Sequence, residues 1–273
     1  MIDSGVSVVI RSRKGEDIRE TVESVEASSS GYDNVEIIIV SQSEEEKKVM
    51  DDRKIFLYSS AKMMEAKLIG VKESRFDKVL FVDSDQIISK NLIQEVMKIN
   101  YDMAFVPERS LSSGFMPWVM DAKRRVVEGI ARSRIDPTIS AVPRVFKREI
   151  VYSAFISLPD SIIKNVISGE DAIIYYASTK ISRNVGWVNG FIFNNDPGLR
   201  QFVRKSYSYG YRSESNILEG NLPPEYVKLI RDIQFKTLLN NGTLSPAVMM
   251  NNLIRGVPYI LGTAESRLRR LVK

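Results

Sequence analysis

Short β-branched runs alternate with helix-patterned segments through the first hundred residues, and few folds accept that pattern. Residues 6–10 (VSVVI), 35–40 (VEIIIV) and 78–82 (KVLFV) are near-continuous apolar runs of strand length. Such runs suit strands covered on both faces. Between the first two, residues 16–27 place Ile18, Val22 and Val25 at helical spacing, and residues 28–31 supply a stop. Residues 55–58 read as a short third strand, with Ser59 and Ser60 as caps for a helix from about 61 to 73. Ser89 is placed to cap a further helix with Leu92, Ile93, Val96 and Met97 on one face, before a strand over 103–106. Strand–helix alternation with short connections predicts a mainly parallel sheet covered by helices, an α/β fold. Ligands of such sheets sit at the carboxyl ends of the strands, so the residues after Ile10, Val40 and Val82 are the ones to watch.

The second half changes character. Residues 116–130 read as a helix rich in basic side chains, 142–151 and the 185–193 region as strands, and 170–178 as a helix between them. After Gly220 the chain turns helical: Pro223 and Pro224 suit a first turn, and Val227, Ile230, Ile233 and Leu238 share a face. Two further segments, 246–255 and 257–272, complete a helical tail. There is no internal repeat.

None of the 273 residues is histidine or cysteine. Thiol nucleophiles, thiolate metal sites and imidazole bases are therefore excluded, and acid–base or cation chemistry must rest on Asp, Glu, Lys or Tyr. No apolar run reaches the length of a membrane span, and the first residues lack a basic leader followed by a long apolar stretch. That pattern predicts a cytoplasmic protein. The net charge of +5 is uneven: residues 1–100 carry 15 Lys and Arg against 19 Asp and Glu, and the remainder 24 against 15. A basic half is read either as plain solubility or as a surface for an anionic partner such as phosphates, a lipid surface or nucleic acid.

The sharpest local feature is Asp83–Ser84–Asp85, directly after the third apolar run. Two carboxylates one residue apart at a sheet edge can address different parts of one ligand, such as a sugar hydroxyl and a hard divalent cation. A turn in which both acids bond backbone amides is the plainer alternative.

Taken in order, VSVVIRSRKGEDIRETVESV, VEIIIVSQS, AKLIGVKES, KVLFVDSDQIISKNLI, VPERSLSSGF, GEDAI and RKSYSYGYR resemble family 2 glycosyltransferases, in an archaeal and bacterial branch, over about residues 6–212. The resemblance implies a single nucleotide-diphospho-sugar transferase domain of the A type, with a mostly parallel central sheet and a helical C-terminal extension. Its parts would be a glycosyltransferase domain over 1–215, divided into a nucleotide-sugar half (1–105) and an acceptor half (106–215), and an extension over 216–273. It implies transfer of a sugar from a nucleoside-diphosphate sugar to a hydroxyl of a glycan or lipid-linked acceptor, with inversion. Asp83 would bond the ribose or donor sugar, and Asp85 would hold Mn2+ or Mg2+ against the diphosphate. Asp171 would be the base that deprotonates the acceptor, with Glu170 beside it. A carboxylate at a helix N-terminus is kept ionised by the amide dipoles, which suits that role.

The chain departs from the family pattern at several of these positions. Arg11, followed by Ser12, stands where a proline is usual in the first strand-end motif. Ser41 replaces an aspartate that contacts the nucleotide base, and Lys67 replaces an arginine near the diphosphate. Asn194 stands where a metal-ligating histidine is usual, and Asp196, two residues on, is an oxygen ligand that would suit a hard cation. Arg204, Lys205 and Arg212, interleaved with Tyr207, Tyr209 and Tyr211, would form a glycine-containing loop that clamps the leaving diphosphate; an amphipathic surface helix is the alternative.

In the tail, Leu261, Leu268, Leu271 and Val272 alternate with Arg267, Arg269, Arg270 and Lys273. Such a segment either packs on its own domain or makes a peripheral contact with an anionic inner membrane face. Three other functions are weighed against transfer: a nucleotide-sugar-binding module without turnover, a nucleotidyltransferase, and a nucleic-acid-binding protein. Nucleic acid is not the expected partner, because the whole constellation fits sugar transfer better than it fits single strands.

Overall fold

The computed structural model describes residues 3–43, 54–137, 141–166, 169–239 and 246–271. Along the chain it forms β1 (Asp3–Ser12), α1 (Arg19–Ser29), β2 (Val35–Ser41), β3 (Lys54–Tyr58), α2 (Met63–Glu73), β4 (Phe76–Asp83) and β5 (Gln86–Ile88). There follow α3 (Leu92–Lys98), β6 (Met103–Phe105), β7 (Glu108–Ser110), α4 (Phe115–Ser133), β8 (Val145–Lys147), α5 (Arg148–Ser157) and α6 (Asp160–Asn165). The last elements are α7 (Glu170–Thr179), β9 (Val185–Trp187), β10 (Ile192–Asn194), α8 (Leu199–Leu218), α9 (Pro224–Leu239) and α10 (Pro246–Leu271).

The chain divides into two compact units. The first comprises residues 1–109, 142–158 and 177–194, the second 110–141, 159–176 and 195–273. In the first unit a seven-stranded sheet runs in the order β3-β2-β1-β4-β8-β6-β9, and a second, small sheet in the order β5-β10-β7. The β1–β2, β1–β4, β2–β3 and β6–β9 pairs are parallel, and β8 is antiparallel to both its neighbours. The mostly parallel sheet expected from the apolar runs is therefore present. Val6, Val8 and Ile10 of β1, Ile37 and Ile39 of β2, and Leu80 and Val82 of β4 are buried in one core with Val22 and Val25 of α1. Burying each such side chain contributes about 1.5–3 kcal/mol, which is why the apolar runs dictate the strand positions.

Local expectations needed correction where side chains compete with the simple pattern. Residues 142–151 do not form one strand: β8 stops at Lys147 and α5 begins at Arg148. Val151, Ala154 and Phe155 recur at helical spacing and are buried, so packing overrides β-branched content there. Neither Ser59 nor Ser89 caps a helix. The Ser59 hydroxyl accepts from the Ala61 amide, and that of Ser89 donates to Asn91 Oδ1 and accepts from the Phe191 amide. The two tail segments form one 26-residue helix, α10, with Pro258 inside it.

The helices after residue 216 belong to the same compact unit as α4. Within this unit α8 and α10 pack at close range. A Cβ on Gly262 would collide with the Tyr207 carbonyl oxygen, and one on Gly210 with the Tyr259 carbonyl oxygen. Glu214 of α8, almost fully buried, accepts from Arg267 of α10 at 2.8 Å and lies 3.8 Å from Arg231 of α9. Because backbone atoms cannot step aside, Gly262→Val is expected to cost about 1–3 kcal/mol in denaturant unfolding. An unchanged midpoint would show that the two helices are not in backbone contact.

Candidate functional site

In the first unit the strand register brings four of the expected residues to one edge. Arg11 pairs with Asp83 across β1–β4, and Ser12 with Ser41 across β1–β2. All lie at the carboxyl ends of parallel strands, where side chains leave the covered part of the sheet. Lys67 reaches the same area from α2; it is 2% exposed, with its ammonium 5.6 Å from the centre of the Phe81 ring.

Asp83 belongs to a closed circuit of hydrogen bonds. Its Oδ2 accepts from an Arg144 terminal nitrogen at 3.2 Å, and the Arg144 Nε donates to Glu108 Oε1 at 2.9 Å. Glu108 Oε2 accepts from Asn194 Nδ2 at 3.2 Å, Asn194 Oδ1 accepts from Gln86 Nε2 at 2.9 Å, and Gln86 Oε1 accepts from the Asp83 amide at 2.8 Å. The turn beside it is pinned as well. Ser84 donates to Glu16 at 2.6 Å, and Thr21 donates to the Ser84 carbonyl at 2.8 Å. This leaves Asp85 exposed at the tip of the turn between β4 and β5.

Burial pushes the Asp83 carboxyl up, but Arg144, Lys67 and Arg11 outweigh it and hold the group at about 2. Arg11 is a different case. It is 7% exposed, and its Nε is buried without a hydrogen-bond partner. A buried guanidinium with a vacant donor favours an oxygen-rich anionic ligand, since leaving such a group unsatisfied is costly.

Other expected residues are engaged elsewhere. The Ser41 hydroxyl donates to the Ser43 carbonyl at 3.1 Å and accepts from the Ser43 amide at 2.9 Å, a local turn. Ser12 donates weakly to the Arg13 carbonyl at 3.3 Å. Of the expected cation ligands Asp85, Asn194 and Asp196, the last two are bonded to protein side chains. The Asn194 oxygen is taken by Gln86. In the second unit Asp196 receives two bonds from Arg124, each 2.6 Å, and another from Ser110. Among the described residues no three carboxylates gather as a metal cluster.

Also in the second unit, Glu170 and Asp171 are the first two residues of α7, after Gly169 at a φ of +79°, with Glu170 buried and Asp171 half-buried. That geometry suits an ionised carboxylate at the amide end of the helix. Arg204, Lys205 and Arg212 do not form a loop: they are exposed on α8, a continuous 20-residue helix. One glycine in twenty residues does not break a helix whose buried side packs so closely. Glu108, Arg144 and Gln86 were missed by the sequence reading. Only the PER of VPERSLSSGF hinted at Glu108, and nothing local marks Arg144 or Gln86.

No protein-family model matches the chain, and neither does any curated protein. Solved structures do match. The mannosyltransferase PcManGT from Pyrobaculum calidifontis, in complex with GDP-Man and Mn2+, aligns with a TM-score of 0.61 at 11% identity, covering 97% of this chain and 87% of that one. S. aureus TarS 1-349 in complex with UDP-GlcNAc aligns with a TM-score of 0.52 at 10% identity, covering 97% and 92%. The same fragment without a named ligand gives 0.51 at 11%, covering 97% and 91%. The chain therefore has a glycosyltransferase fold.

The Asp83 circuit has a pH signature. With its carboxyl held at about 2 against an ordinary value of 3.8, Asp83 adds stability that is complete above about pH 4 and lost as pH falls through 2. Between pH 5 and pH 2 the wild type should lose about 2 kcal/mol more than Asp83→Asn in denaturant unfolding. Parallel losses in both proteins would mean that the ion pair contributes nothing.

Proposed function

We propose that this chain transfers a glycosyl group from a nucleoside-diphosphate sugar to a hydroxyl on a glycan or lipid-linked acceptor. The carrying observation is the buried, unsatisfied Arg11 beside Lys67 and the fixed Asp83 carboxylate, at the carboxyl edge of a glycosyltransferase fold. The two cations supply positive charge for a diphosphate, and Asp83 is an ionised acceptor for sugar or ribose hydroxyls. The neighbours captured with GDP-Man and UDP-GlcNAc support a donor of this class.

In the proposed reaction the acceptor oxygen bonds to the anomeric carbon from the face opposite the diphosphate. The bond from that carbon to the diphosphate oxygen breaks, and its electron pair leaves with the nucleoside diphosphate. Asp171 accepts the hydroxyl proton, and Glu170 keeps the surroundings anionic. Arg11 and Lys67 meet the charge that develops on the leaving oxygens. No step is assigned to Mn2+ or Mg2+, because Asn194 and Asp196 are already committed.

Two variants test the assignment. Asp171→Asn is expected to lower kcat by about 10²–10⁴ while calorimetric binding of the donor persists. Arg11→Met should weaken that binding by about tenfold or more, since it removes a charge-assisted bond to the donor. A wild-type rate in folded Asp171→Asn would remove the base. Failure of the wild type to bind any uridine or guanosine diphosphate would remove the donor reading altogether.

The engagement of Asn194 and Asp196 favours one second reading, a module that binds nucleotide sugars without turning them over. Donor binding without product formation, across a panel of sugar acceptors, would select it.

A further inference from the structure

The outer face of α10 is apolar where a solvent-facing helix is polar. Apart from Val248, its buried positions are small or polar: Ala247, Asn251, Gly256, Gly262 and Ser266. Its exposed positions are large and greasy: Met249, Leu253, Val257, Ile260, Leu261, Leu268 and Leu271, each more than half exposed. The cause lies in the contact with α8. Gly262 lies against the Tyr207 carbonyl and Gly210 of α8 against that of Tyr259, so the buried seam accepts only small residues. The large side chains are thereby sent outward. From 249 to 271 they fall on one side of the helix, a stripe about a third of its circumference wide, on a helix roughly 39 Å long at 1.5 Å per residue.

The charge on this helix is one-sided. Between 246 and 271 the chain carries Arg255, Arg267, Arg269 and Arg270 against one acid, Glu265, and that acid pairs with Arg269 at 2.7 Å. All four arginines are exposed, and α8 beside it adds exposed Arg204, Lys205 and Arg212. From these observations we infer that the α10 stripe docks on the surface of an anionic phospholipid bilayer, with the apolar residues in the acyl boundary and the arginines at the headgroups.

Charge is what favours lipid over a second copy of the chain. An antiparallel pair of α10 helices would set Arg267, Arg269 and Arg270 against residues 246–254, which hold no acid. A parallel pair would set those arginines against themselves. Arg267 is already bonded to Glu214 and Arg269 to Glu265 within the chain, and neither arrangement brings a further acid to Arg270, whereas anionic headgroups do. Among the described residues no helix is long and apolar enough to cross a membrane, so α10 would lie along the interface. This inference is independent of the transfer reaction.

The test is flotation with vesicles of phosphatidylcholine, alone or mixed with phosphatidylglycerol. The wild type should float with the mixed vesicles, bind pure phosphatidylcholine about tenfold or more weakly, and be released by about 0.5 M salt. The double variant Leu253→Ser, Ile260→Ser should keep the wild-type thermal transition, because both side chains are exposed, and bind about tenfold less. Should that variant misfold, Arg270→Gln serves, losing affinity for the mixed vesicles alone. Three results would overturn the inference: no flotation with anionic vesicles, equal binding to both compositions, or a solution dimer that the double variant dissociates.

Discussion

Asp83 meets Arg144 at 3.2 Å, and Arg144 passes the charge to Glu108 at 2.9 Å. Around this pair the carboxyl edge of the sheet is organised. The circuit that runs on through Asn194 and Gln86 back to the Asp83 amide joins β4, β5, β7, β10 and Arg144, just ahead of β8, segments far apart in the chain. A carboxylate so held cannot rotate freely or take up a proton near neutral pH, so it presents a fixed negative acceptor to any ligand. The same circuit consumes groups that would otherwise be free. Asn194 is engaged by both Gln86 and Glu108.

Arg11 shows the opposite condition at the same edge. Its strand position buries it beside Asp83, yet its Nε has no partner. One group is satisfied and rigid, and the other is prepared for something that arrives. That contrast is what the proposed donor site rests on. The fold comparisons add only that chains of this architecture can be glycosyltransferases.

In the second unit a steric rule plays the organising part. Small residues at the α8–α10 seam let two backbones approach, and the exposed side of α10 is left to the large apolar residues. Glu214, bonded to Arg267 and close to Arg231, pins the seam with a buried charge. Arg204, Lys205 and Arg212 are exposed on α8, and the tyrosines between them are half-buried. Their alternation in the sequence looked like a loop clamp because spacing alone cannot distinguish a helix surface from a turn.

Much of the first unit was legible in the chain. Three apolar runs with strand length could only be strands in a covered sheet, and Asp83 followed from the end of the last one. The helix that starts at Glu170 was likewise legible from its acids and its apolar spacing. Order along the chain was enough for the α/β architecture and for a residue inventory without histidine or cysteine. Tertiary structure alone decided which polar groups stay available. Arg144 and Gln86 have no local signature, because their role comes from distant partners. Asp196 is lost to Arg124 for the same reason. Burial along a strand or helix is periodic and can be read from order, whereas hydrogen-bond partnership depends on where remote segments meet.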